Sequence, residues 1–122
     1  MSEPFVYIAG KYNDENDDLI RNNIESARAL AIQCAKHNIK HFCPHTHSDF
    51  MHKHAPEAKH DFWINLDIEI IKKLCNCMLM VEGWESSGGA RFERYVALEL
   101  KYPVFYSFKK LKEWIVWRND SV

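Results

Sequence analysis

The chain has 122 residues, the length of one domain and not comfortably of two. Hydrophobic residues at 47% and charged residues at 27% exclude an intrinsically disordered chain. Sixteen Lys+Arg against seventeen Asp+Glu leave a net charge of −1 with no basic stripe, which argues against binding a nucleic-acid polymer through counterion release.

In chain order, Phe5-Val6-Tyr7-Ile8-Ala9 is a short apolar run that stops at Gly10, as a buried strand entering a tight loop does. Residues 14–18 are acidic and rich in capping types, suited to a helix start. Ile20, Ile24, Ala27, Ala31 and Cys34 then recur at steps of three and four and predict an amphipathic helix. A second strand over 39–43 is stopped by Pro44. Residues 44–59 show no period and read as a long loop, of the kind that is functional or disordered in so small a domain. A helix over 61–74 follows, with Trp63, Leu66, Ile70 and Leu74 predicted on its inward face. Residues 77–81 form an apolar third strand, 83–89 a turn-rich loop, 90–101 a helix, 104–106 a fourth strand and 109–117 a last helix.

This alternation predicts an α/β fold: one Rossmann-like domain, a parallel sheet of four to five strands and helices on both faces. Ligands of such sheets bind beyond the carboxyl ends of the strands, where the loops after Gly10, Pro44 and Gly83 converge. Cys34, Cys43, Cys75 and Cys77 fall mostly in apolar runs, and Cys75-x-Cys77 is not a C-x-x-C motif, so reduced thiols are expected. The N-terminal stretch has no basic region, and no apolar run approaches the ~18 residues of a membrane span. The expectation is a cytoplasmic protein without a membrane partner.

Glu93 is the most informative residue. On its helix it shares a face with Phe92, Val96, Ala97 and Leu100, and a carboxylate on an inward face needs a partner or a task. A first-turn acid favoured by the helix dipole is the alternative. The Ser86-Ser87-Gly88-Gly89 stretch before this helix can bind an anion through backbone N–H groups and a hydroxyl, or serve as a plain N-cap. All seven histidines lie between His37 and His60, and His45, His47 and Asp49 allow a metal-hydrolase alternative, although no later strand end supplies further ligands.

Tyr7-Ile8-Ala9-Gly10, Asp67 before the third strand, and the run from Gly83 through Ser87 and Gly89 to Glu93, with Ala97 behind it, together resemble the nucleoside 2-deoxyribosyltransferase superfamily, which includes the 2'-deoxynucleoside 5'-phosphate N-hydrolases. The likeness spans roughly 5–106 and marks the whole chain as a single domain of that kind. It implies Glu93 as the nucleophile at the anomeric carbon and Asp67 as an acid that positions substrate or handles a proton. Ser87 would hold a 5'-phosphate, and Tyr7, Gly10 and Tyr12 would meet sugar and base. His45, Trp84 and Gly89 are further candidates for substrate contact. Asn76 stands where the family usually has Asp, and the first loop offers Lys11 and Asn13 in place of an arginine.

The resulting expectation is hydrolysis of the N-glycosidic bond of a (2'-deoxy)nucleoside 5'-monophosphate through a glycosyl-enzyme, with the departing base protonated by Asp67 or a loop histidine such as His45. No metal or other cofactor is called for, and a homodimer or higher homo-oligomer is implied. Base exchange between free deoxynucleosides and a non-catalytic nucleotide-binding module are the alternatives.

Overall fold

Strands β1 (Phe5–Ala9), β2 (Lys40–Phe42), β3 (Cys77–Met80) and β4 (Val104–Phe105) form one all-parallel sheet in the order β2-β1-β3-β4. Helices α1 (Asp17–Lys36), α2 (Pro44–His47), α3 (Met51–His54), α4 (His60–Lys73), α5 (Gly88–Glu99) and α6 (Phe108–Asp120) connect and cover it. These elements come from a computed structural model that describes residues 3–120; Met1 and Ser2 of the N-terminal stretch lie outside the described residues. The α/β class, the Rossmann-like single domain and the parallel sheet are as the sequence predicts, with four strands. Among the described residues no helix is long and apolar enough to cross a membrane.

Alternation along the central strands sorts the core into two layers. Val6 and Ile8 of β1, with Cys77 and Leu79 of β3, face Ala27, Ala31 and Cys34 of α1 and Leu111 of α6. Tyr7 and Ala9, with Met78 and Met80, face Ile71 of α4 and Ala90 and Ala97 of α5. Both faces are covered, so these strands read as unbroken apolar runs. α1 buries the five residues its spacing predicts, and the Asn16 side chain caps it by accepting from the Leu19 N–H at 2.9 Å. A cap contributes about 1 kcal/mol, and each fully buried isoleucine about 1.5–3 kcal/mol. Burial against the sheet therefore holds α1 more firmly than its cap does.

Three expectations need correction. Residues 44–59 are not a plain loop, because they contain α2 and α3. Each is four residues long, too short to leave a helical period, and Pro44 opens α2 at its first position. The inward face of α4 is rotated from the predicted one: Leu74 is 55% exposed, whereas Ile71 is fully buried. α5 begins at Gly88, with Ser87 as its N-cap accepting from the Ala90 N–H at 3.1 Å. Glu93 thus lies in the second turn, and Phe92 and Leu100 are exposed rather than inward.

The chain leaves β1 toward β2 on one side and returns to β3 on the other, so the topological switch point lies between β1 and β3. The two strands stay paired to their ends, the Val81 N–H donating to the Ala9 carbonyl at 2.8 Å. Gly10 follows immediately, and a Cβ there would stand 2.6 Å from Val81 Cβ and 2.7 Å from Cγ2. Neither atom belongs to a flexible side-chain end, so the strands would have to part. Gly10→Ala is accordingly expected to destabilise the fold by about 1–3 kcal/mol, read as a lower urea midpoint. An unchanged midpoint would show that the strand ends have room to spare.

Candidate active site

A cavity of about 500 Å³ opens at the switch point. Residues 10–13 form one wall, and Pro44, His45, Ser48, Met51, His52 and Ala58 a second. His60, Trp63, Ile64 and Asp67 of α4 and residues 86–90 with Glu93 complete it. Seven of the nine residues singled out in the sequence line it: Gly10, Tyr12, His45, Asp67, Ser87, Gly89 and Glu93. Tyr7 and Trp84 are not among the lining residues.

Tyr7 lies beneath the floor. Alternation turns its side chain toward α4 and α5, and its hydroxyl donates to Glu93 Oε2 at 2.5 Å. Burial pushes the phenol well above its ordinary value of 10.0, reinforced by the charges of Glu93 and Asp67, so it stays a donor. Burial also pushes Glu93 up, to about 8 from 4.5, with the Tyr7 hydrogen bond pulling the other way and Asp67 adding to the rise. Asp67 is raised by burial to about 6 from 3.8, against the hydrogen bonds of Glu93 and Tyr7 and the charge of His47. No lysine or arginine figures among the groups that shift either acid. Two carboxyls this close in low dielectric cannot both ionise readily, so near neutrality they hold one proton as a pair.

Trp84, expected to meet substrate, is turned elsewhere. It packs on the core layer under α5, its ring 5.8 Å from that of Tyr106 and 4.9 Å from the Arg94 guanidinium carbon. A large indole following the left-handed Gly83 (φ +90°) covers the β4 edge of the core in preference to the cavity.

His45 lines the cavity but is only 3% exposed, and its Nε2 lies 2.9 Å from the Lys11 carbonyl oxygen. A carbonyl only accepts, so Nε2 carries the proton. Burial lowers the pKa of the ring and keeps it neutral. With that proton committed to the first loop, His45 is a tether and Asp67 is the better-placed acid. The metal alternative loses its ligand set, since His47 sits on Phe42 and Ser48 while Asp49 lies 3.7 Å from the Arg28 guanidinium. No three of the described His, Cys, Asp and Glu side chains are grouped to hold a metal ion.

Tyr12 carries the second wall. Its hydroxyl accepts from the Phe50 N–H at 2.8 Å, and Phe50 is left-handed at φ 53°. That conformation is costly for a bulky residue. It is held by Tyr12 and by Arg21 and Lys53, each 5.4 Å from the Phe50 ring centre, and Lys53 is further paired with Asp17 on α1. Sequence reasoning assigned no site role to His60, Trp63 and Ile64. Their spacing with Asp67 and Ile71 was the available signal, because steps of three and four place all five on one helix face.

A family model described as Domain of unknown function (DUF4406) matches residues 4–106, and the chain belongs to that family. No curated protein and no solved structure matches it.

The acid pair makes a pH-dependent prediction. A group raised from 4.5 unfolded to about 8 folded contributes stability that is full below 4.5 and lost as pH climbs toward 8. Wild type should therefore lose stability between pH 5 and pH 8 by more than Glu93→Gln does, since the amide has no proton to release. Urea midpoints of the two proteins at both pH values test this. Parallel midpoints would mean that Glu93 is ionised throughout.

Proposed function

We propose that this member of the DUF4406 family hydrolyses the N-glycosidic bond of a (2'-deoxy)nucleoside 5'-monophosphate, with Glu93 as the nucleophile. The observation that carries this reading is the Tyr7–Glu93–Asp67 cluster: two acids at the edge of the core, no lysine or arginine among the described residues shifting either, and a cavity directly above. Such a cluster lowers stability, and perturbed acid pairs in clefts are suited to acid–base chemistry. The likeness of the first strand and of the run from Gly83 to Glu93 to the deoxyribosyltransferase superfamily supports the same chemistry.

The shared proton gives each acid its role. The proton rests mainly on Glu93, the acid raised further; in the reacting form it has passed to Asp67, which leaves Glu93 a carboxylate steadied by the Tyr7 hydroxyl. It attacks the anomeric carbon as the C–N bond breaks, and the bond's electron pair leaves with the base, which takes the proton from Asp67. Asp67, now ionised, removes a proton from water. The resulting hydroxide attacks the same carbon and releases Glu93, as in retaining glycosidases. A second base in place of that water would make the reaction a transfer.

A monophosphate is favoured by the start of α5. The first amides of a helix have no intrahelical acceptor, and Gly88 and Gly89 stand at that start in the cavity wall. Ser87 Oγ spends a lone pair on the Ala90 N–H, which leaves its own hydrogen free to donate. A Cβ on Gly88 would meet nothing within 4 Å, and one on Gly89 only Ser87 Oγ at 3.9 Å. The fold does not require these glycines, whereas an approaching anion would.

Chromatography of wild type and Glu93→Ala with a panel of nucleosides and 5'-monophosphates, with and without a second free base, tests the reading. Base released from monophosphates by wild type alone is expected. A new nucleoside formed only with acceptor base would make the enzyme a transferase, and no release from any substrate would leave a nucleotide-binding module. Gly89→Ala addresses the phosphate separately. It is expected to leave the urea midpoint unchanged or higher, since alanine favours helix over glycine. KM for monophosphates should rise at least about 10-fold as the added methyl blocks the amides. An unchanged KM would remove the phosphate from this loop.

A further inference from the structure

The inward face of α4 changes character along its length. Its C-terminal part ends in the core, where Ile71 is fully buried and Cys75 follows just beyond the helix. Its N-terminal part, with His60, Trp63 and Ile64, opens on the cavity. Trp63 is half-buried and belongs to neither core cluster. Its one aromatic neighbour among the described residues is Phe62, edge-on at 4.9 Å and 85°, which braces the indole without stacking on it. An indole that lines a cavity and stacks on none of the described residues is a platform awaiting a flat partner. Asp67 stands four residues further along the same face, about one helical turn of 5.4 Å. Ile64, Met51 and Ala58 add apolar surface to the same cavity, alongside the polar Ser48, His52 and His60.

We propose that Trp63 is the stacking platform for the departing base and sets how tightly the base is held, so that the bond to be broken lies beside Asp67. The assignment rests on the nucleotide-hydrolase reading and adds the residue that recognises the leaving group. Stacking accepts any base, because every base has a π face. The platform therefore works across bases and does not choose one by its edge. Through it, binding energy from the base orients the sugar over Glu93.

The test compares wild type, Trp63→Phe and Trp63→Ala. Calorimetry measures the affinity of adenine, hypoxanthine, cytosine, thymine and uracil, and separately of 2-deoxyribose 5-phosphate, while kcat/KM is measured on the best monophosphate. For Trp63→Ala the tightest base should weaken about 5- to 150-fold, the usual range for loss of one stacking partner. Trp63→Phe should stay within about 3-fold of wild type, because a ring remains to stack on. Affinity for the sugar phosphate should be unchanged in both, which also shows that the variants fold. Equal weakening of base and sugar phosphate in Trp63→Ala would make the residue structural and overturn the proposal, as would undiminished base affinity or a wild type that turns over nucleotide but binds no base. A wild type that binds bases through Trp63 yet releases none from any nucleotide would instead overturn the hydrolase reading and leave the platform standing.

Discussion

The hydrogen bond between the Tyr7 hydroxyl and Glu93 is the contact on which the site is built. It joins the middle of the sheet to the second turn of α5 across 86 residues of sequence and lies where water does not reach. A carboxyl in that position is tolerable only if it keeps its proton or accepts hydrogen bonds. Each requirement fixes part of the fold. Tyr7 must face α5, which sets the pleat of β1. α5 must start directly after the loop leaving β3, so that its second turn reaches Tyr7. Asp67 must arrive from α4 on the same side, which makes it partner and competitor of Glu93 for one proton.

The architecture was legible because its signals are long and repeated. Five apolar positions at helical steps gave α1, and four apolar runs of strand length gave a parallel sheet buried on both faces. Glu93 was legible for a related reason, as a charge where the helix pattern required an apolar residue. What sequence could not supply was phase and short structure. The face of α4 was predicted partly out of phase: Ile70 does pack on the core and Trp63 does face the cavity, but Leu74 was brought inward and Ile71 left aside. A step of one residue, about 100°, separates a core position from a solvent position. Trp84 was misplaced for lack of three-dimensional competition, since nothing local reveals that Arg94 and Tyr106 offer its ring a better berth than the cavity does.

The wall between β2 and α4 was the least legible. Its geometry comes from contacts between distant residues: Tyr12 on the Phe50 amide, Arg28 near Asp49, and Lys53 with Asp17. The left-handed Phe50 costs about 1–3 kcal/mol, and no local preference explains it. Such strain persists when surroundings over-determine it, and here they do so beside the cavity. The histidines of this segment invite a metal reading in one dimension. In three they are dispersed: His45 ties down the first loop, His47 rests on Phe42, and His52 lies edge-on to Tyr12.

The divided face of α4 has a consequence for how this protein can change over generations. Its last turns contribute to the core that decides whether the chain folds, while its first turns line the cavity. Substitutions at 60, 63 and 64 therefore draw little on the narrow stability margin that constrains most of a small domain. Lineages carrying this fold are free to exchange those side chains and reshape the cavity, with Glu93, Asp67 and Tyr7 left in place. Diversity in this family should accordingly concentrate at one end of one helix, next to an acid pair fixed by the core.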